Sequence, residues 1–224
     1  ISVSVVTNPS NGSISITDNL VTYSPNLNFH GTDSSNYKIT QGDKTSSALV
    51  SLTINPVNDT PVIDIASTIS VDENQTSVTT VSVSDPDEDD LTLSVGGTDA
   101  ASFNLSLDNI LTFKEAPDYE AKNAYSISLS LTDGAETVTK SLTINITNVN
   151  DNSPVITSDA TFTAAENQIA IGTVTAADSD GDVVAFTISG TELAITSTGV
   201  LTFVTSPDYE NKSSYTATIT ATDG

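Results

Sequence analysis

The segment "NILTFKEAPDYEAKNAYSISLSLTDG" at 109–134 returns as "GVLTFVTSPDYENKSSYTATITATDG" at 199–224, and nothing else in the chain constrains its fold as strongly. "VDENQ" at 71–75 returns as "AAENQ" at 164–168, and "SDPDEDDLTLSV" at 84–95 as "DSDGDVVAFTIS" at 178–189. Glu73 and Glu166 stand 93 residues apart, and Asp118 and Asp208 stand 90 apart, so order and spacing both hold. A period near 90 residues is the size of a domain and too long for a solenoid repeat. A divergent copy opens the chain: "DNLVTY" at 18–23 matches "DNILTF" at 108–113. The expected division is 1–59, shortened at its N-terminus; 60–150, complete; and 151–224, lacking its last strand. The chain therefore reads as a piece of something longer.

Each copy reads as β-structure. Ile127, Leu129 and Leu131 alternate with serines, and Leu142, Ile144 and Ile146 alternate with Thr and Asn. A period of two gives a strand one buried and one wet face. Short strands broken every 8–12 residues or so by Gly, Asn, Asp and Pro indicate a sandwich. Asn109 and Gly199 share a turn position that needs a residue tolerant of left-handed backbone. No helix longer than a single turn is expected.

Charge removes several classes of function. Six lysines and no arginine face 29 acids, a formal net charge of −23. Nucleic acid is excluded as a partner, because phosphate binding relies on clustered Lys and Arg. Anionic membrane surfaces are disfavoured for the same reason, and no run of about 18 apolar residues offers direct membrane insertion. Cysteine is absent, so no disulfide staples the fold. The single histidine, His30, has no nucleophile in pattern beside it, and no enzyme is expected.

The acids fall in register with the repeat. Glu73, Asp85, Asp87, Asp118, Glu120 and Asp133 of the middle copy are answered by Glu166, Asp178, Asp180, Asp208, Glu210 and Asp223. Solubility alone requires no such discipline. Two carboxylates about 4 Å apart repel by around 4 kcal/mol at an effective dielectric of 20, so gathered acids call for a cation. Hard oxygen donors without Cys or a nearby His select calcium over zinc or copper, and magnesium prefers to keep its waters. An EF-hand is rejected, because its position-twelve Glu would fall on Gly96 or Ser189. The glycine-rich nonapeptide of calcium β-rolls does not recur either.

"DENQ", "DPD", "DYE", "TDG" and "NVNDN" follow one another in the middle copy and its linker, and this order resembles the cadherin repeat. The first copy, with "YSPNLNFHGTDSSNY", resembles the divergent cadherin-like repeats of large bacterial surface adhesins. The resemblance implies an all-β fold of tandem Greek-key, immunoglobulin-like β-sandwiches in a linear array, with Ca2+ at each junction. It implies a second junction built from Glu73, Asp118, Glu120, Val149, Asn150, Asp151, Asn152, Asp178, Asp180 and Asp223. Asn148 stands where the family places its first linker Asp. A thinner first junction would use Asn58, Asp59, Asp85, Asp87 and Asp133, with Asp33 from the first copy. Glu166, Asp208 and Glu210 would form half of a further site.

The function expected is that of calcium-rigidified extracellular repeats mediating cell–cell, surface or biofilm-matrix attachment. Partners would be other cell-surface proteins, homotypic or heterotypic. A polysaccharide-binding module is the alternative, with Tyr119 and Tyr209 as candidate platforms, and a passive stalk is a third reading. An extracellular setting follows from the weak calcium sites of such modules, which cytosolic calcium would not fill.

Overall fold

The computed structural model describes residues Ile1–Gly224. Regular structure is strand throughout, except for one 3-10 turn at Ala100–Ser102. The chain forms two compact units. One contains Ile1–Ser67, Val78–Thr112 and Ser126–Thr143; the other contains Thr68–Ser77, Phe113–Tyr125 and Ile144–Gly224.

The first repeat pairs Gly31–Gln41 with both Ser2–Thr7 and Lys44–Ile54. Beside this sheet a hairpin joins Gly12–Thr17 to Leu20–Pro25. Its turn residues Asp18 and Asn19 both take positive φ, 51° and 67°, which a two-residue turn matching strand twist requires. Of residues 1–59 only Pro9, Asp33 and Ser35 are buried. Its best-buried side chains are thus polar. Asp33 is 6% exposed and accepts hydrogen bonds from Ser10 N (3.0 Å), Asn11 N (2.9 Å), Tyr23 Oη (2.9 Å) and Ser34 N (2.8 Å). It pins the hairpin to the sheet.

In the middle repeat the alternating strands bury the expected residues. Leu129, Leu131 and Ile144 are fully buried, and Ile127, Leu142 and Ile146 nearly so. Each such side chain contributes about 1.5–3 kcal/mol. Thr137–Thr147 lies between Ala124–Thr132 and Thr68–Asp72, and Thr92–Gly96 completes that four-stranded sheet. The facing strands are Phe103–Leu105, Ile110–Phe113 and Ser77–Thr80, with Val62–Asp64 paired to Ser82–Ser84. Asn109 takes φ 58° at its turn, as Gly199 takes φ 89° at the equivalent one.

The last repeat repeats this plan on a smaller core of Val174, Phe186 and Leu201. Ala170–Thr173, Val200–Phe203 and Leu193–Ile195 form one sheet. Ala185–Ile188 pairs with Ile219–Thr222, and Val155–Ile156 with Ala176–Ala177.

Candidate metal centre

Turns and linkers carry the acids that cluster. Asp85 and Asp87 follow Ser82–Ser84 directly, and Asp178 and Asp180 follow Ala176–Ala177. In each pair the first carboxylate folds its own turn: Asp85 Oδ1 accepts Asp87 N at 2.8 Å, and Asp178 Oδ1 accepts Asp180 N at 2.9 Å. The other oxygen of each, Asp85 Oδ2 and Asp178 Oδ2, is buried without a hydrogen-bond partner, as is Asn148 Oδ1. A buried anionic oxygen left unpaired is costly unless a cation meets it.

Around "NVNDN", one carboxylate oxygen each from Glu73, Glu120, Asp151 and Asp180 lies within 4.8 Å of the others. Glu73 is 3% exposed and braces the site, accepting Val149 N and Tyr119 N at 2.8 Å each. Asp180 Oδ2 accepts the linker amides Asp151 N (3.1 Å) and Asn152 N (2.8 Å). The side-chain amide of Asn152 donates to Asp180 Oδ1 (3.0 Å), Asp151 Oδ1 (2.7 Å) and Glu120 Oε2 (3.4 Å). Asn74 Nδ2 donates to Asp151 Oδ2 at 2.5 Å, and Asn148 Nδ2 to the Asp180 carbonyl at 2.7 Å. Neutral amides here offset part of the charge a cation would neutralise. The Asn152 side chain, helped by linker amides and opposed by burial, holds Asp180 below its ordinary pKa. Glu120 is pushed up by partial desolvation and then by the neighbouring charges of Glu73, Asp180 and Asp118.

The first linker is sparser. Asp59 N donates to Asp87 Oδ2 at 2.6 Å, and Asn58 Nδ2 to Asp133 Oδ2 at 2.9 Å. That amide, with Glu136 N, lowers Asp133 below its ordinary value. Oxygens of Asp85, Asp87 and Asp89 lie within 4.8 Å of one another, and Asp89 is raised by desolvation and then by Asp85 and Asp87.

Several sequence expectations meet different geometry. Asp33 is not brought to the first linker's acids; its oxygens are taken by four donors of the first repeat itself. Asp118 is outside the group of four, and its Oδ1 accepts Ala121 N at 3.0 Å within its own turn. Asp223 is half-buried and outside the group too, although a Cβ on the adjacent Gly224 would stand 3.8 Å from Asn150 Nδ2. Glu166, Asp208 and Glu210 do come together, but all three are exposed. Asp89 and Asp182 join the clusters without having been singled out. Their signal was the third acid of D-x-D-x-D, used in the sequence only to test for an EF-hand.

The donor set fits calcium: carboxylate and amide oxygens, close-set, with three buried oxygens unpartnered. Tandem immunoglobulin-like β-sandwiches with acidic turns at polar linkers are the class this architecture defines, and the repeats are cadherin-like. Residues 1–53 and 58–147 match the family model described as Bacterial Ig domain, and the chain belongs to that family. Human Protocadherin Fat 4 is 37% identical over 126 residues, which is 50% of this chain and 2% of that protein. Human Protocadherin gamma-A10 is 31% identical over 206 residues, 81% of this chain and 22% of that protein. The chain thus spans a small part of these relatives' length. Among solved structures, human CDH23 EC21-23 superposes with a TM-score of 0.67 at 18% identity, covering 98% of this chain and 86% of that one. Mouse Cadherin-23 EC22-24 gives 0.65 at 16%, covering 99% and 81%. The extracellular setting read from the sequence agrees with these relatives, and no helix is long and apolar enough to cross a membrane.

Proposed function

We propose that the chain is a run of adhesion-type extracellular repeats, divided at 1–59, 60–150 and 151–224, whose linkers are stiffened by calcium. Glu73, Glu120, Asp151, Asp178 and Asp180 would hold the ion at the second linker, with the Asn148 side-chain oxygen. Asp59, Asp85, Asp87, Asp89 and Asp133 would hold it at the first. Bound calcium supplies charge neutralisation and a rigid coordination frame, and the protein supplies oxygens already gathered by its turns. The observation that carries this reading is the recurrence of one unpartnered buried carboxylate oxygen at the same repeat position, in Asp85 and in Asp178. A non-catalytic role that engages other cell-surface proteins fits a chain whose motif acids recur as scaffolding. The polysaccharide reading has a single well-exposed aromatic among its two candidates, Tyr209 at 66%, while Tyr119 is half-buried.

Small-angle scattering with calcium and with EGTA tests the proposal. Chelation is expected to leave the sandwiches folded and increase the flexibility of the chain. An unchanged scattering profile, with no calcium bound by calorimetry, would refute it.

A further inference from the structure

One oxygen each of Glu73, Glu120, Asp151 and Asp180 lies within 4.8 Å of the others at the second linker, and a neutral side chain stands among these acids. The Asn152 amide nitrogen donates to Asp151 Oδ1 at 2.7 Å, Asp180 Oδ1 at 3.0 Å and Glu120 Oε2 at 3.4 Å. Its orientation follows from charge. Turned the other way, the amide would set its carbonyl oxygen, an acceptor, against three carboxylate oxygens. Two amide hydrogens are thus shared among three anions. The backbone N–H of Asn152 goes to the other oxygen of Asp180, Oδ2, at 2.8 Å, so one residue holds both ends of that carboxylate. Its side chain is also the largest cause of the depressed Asp180 pKa.

The first linker shows the motif without this group. Asn58-Asp59-Thr60 corresponds to Asn150-Asp151-Asn152, and a hydroxyl stands where the amide does. Thr60 Oγ1 gives its hydrogen to Glu136 Oε2 at 2.6 Å. The backbone contact does recur: Asp151 N meets Asp180 Oδ2, and Asp59 N meets Asp87 Oδ2. Backbone amides therefore close the turn in both places, and the Asn152 side chain is an addition at the second. A bound cation would draw on the same oxygens. A carboxylate offers about four lone-pair sites, and Asp180 commits two at Oδ2 to linker amides and one at Oδ1 to Asn152. Of these three donors, the side-chain amide is the one that can swing away while the linker backbone stays in place.

We propose that the Asn152 side chain is a placeholder for the cation, which holds Asp151, Asp180 and Glu120 together in the ion-free linker and gives up their oxygens when calcium binds. This rests on the calcium reading of the second linker and adds to it a residue that sets affinity by opposing the ion. A group that stabilises the ion-free arrangement lowers the fraction of protein ready to bind, and so weakens the apparent affinity. Removing Asn152 should therefore act oppositely on the two states: less stability without calcium, and tighter binding of it. A side chain that ligates the ion would behave the other way, and its loss would cost affinity.

The test compares the whole chain with Asn152→Ala, which keeps the main-chain N–H and carbonyl of residue 152. Calcium is titrated while NMR follows the backbone amides of Val149 and Asp151, so that the Kd read is that of the second linker. The variant is expected to bind about tenfold tighter, the factor that one hydrogen bond to a charged group is worth, and to melt at lower temperature in EGTA. A second measurement needs no variant. In the unmodified chain the side-chain amide of Asn152 should exchange slowly in EGTA and lose that protection as calcium is added. An equal or weaker Kd in Asn152→Ala, where the unmodified chain does bind calcium, overturns the placeholder and leaves the calcium reading standing. So does an Asn152 side-chain amide that stays protected at saturating calcium. No calcium bound by the unmodified chain overturns both.

Discussion

The bases of the middle and last repeats carry the same three acids and use them differently. Glu73 is 3% exposed, shut between the N–H groups of Tyr119 and Val149. Glu166 is exposed and accepts Tyr209 N at 3.2 Å. Glu166, Asp208 and Glu210 lie within 4.8 Å of one another and are exposed, whereas Asp118 stays outside the group that holds Glu73 and Glu120. The turn amide that meets the first Glu is common to both repeats, and at Glu73 the linker amide of Val149 braces the carboxylate as well.

The largest test of that contrast is a pair of truncations. Glu73→Ala leaves two part-buried N–H groups, of Tyr119 and Val149, without this acceptor, at up to about 1–3 kcal/mol for each unsatisfied group. A loss of about 1–3 kcal/mol in EGTA is expected by urea unfolding, with faster exchange of the Val149 and Tyr119 amides. Glu166→Ala should stay within about 0.5 kcal/mol, as exposed substitutions do. Equal costs for the two would dissolve the distinction between them.

Calcium sharpens the comparison next. A ligand at a hundredfold excess over Kd stabilises by about 2.7 kcal/mol, so each filled linker should raise the melting temperature. Asp180→Asn is expected to remove most of that gain, because Asp180 takes two linker amides as well as the Asn152 side chain. The equivalent Asp87→Asn at the first linker, where Asp59 N is the linker amide received, should remove less. Calorimetric titration of the two variants ranks the linkers, and a larger loss from Asp87→Asn would reverse the order.

Much of this was readable in the sequence, for identifiable reasons. Alternation placed Ile127, Leu129, Leu131, Leu142, Ile144 and Ile146 inside, because period two is a direct image of strand geometry. Repetition of acids exposed the clusters, because only a structural demand keeps Asp85 and Asp178 in register. Asp33 defeated the same reasoning. Its motif context marked it as acidic loop chemistry, but its role depends on Ser10, Asn11 and Tyr23, which reach it only after the hairpin folds onto the sheet. Glu73 and Glu166 look alike in sequence, and their difference in burial lies outside the motif.

Asp33 supplies a smaller, pH-dependent test. Burial alone would raise its pKa, but hydrogen bonds from Asn11, Ser10 and Ser34 amides and from Tyr23 bring it below the ordinary 3.8. A depressed native pKa means that its stabilising effect is present above the unfolded value and lost as pH falls through the folded one. The first repeat should therefore hold its hairpin down to pH 4 and release it below, seen as exchange at the Ser10 and Asn11 amides. In Asp33→Asn those amides should exchange faster at neutral pH and respond little to acid. Retained acid sensitivity in that variant would place the pin elsewhere.

The smallest effect expected is one of sign, at Glu120. Partial desolvation and the charges of Glu73, Asp180 and Asp118 raise its pKa, so its ionised form is disfavoured in the folded protein. Without calcium that charge is a liability at neutral pH, and acidification through the raised pKa should relieve it. Asp180 responds in the opposite direction, since its depressed pKa keeps it ionised until lower pH. In EGTA, Glu120→Gln should therefore melt at or slightly above the unmodified chain near pH 7, and it should lose the gain that mild acid gives that chain. In calcium the order should invert, because a carboxylate that repels its neighbours in the empty site attracts the ion that separates them. Melting curves of both proteins, with EGTA and with calcium, at pH 5 and pH 7, contain the whole test. If Glu120→Gln is the less stable protein in EGTA as well, the carboxylate acts through hydrogen bonds such as the one from Asn152, and the crowding of charge at the second linker does not govern its stability.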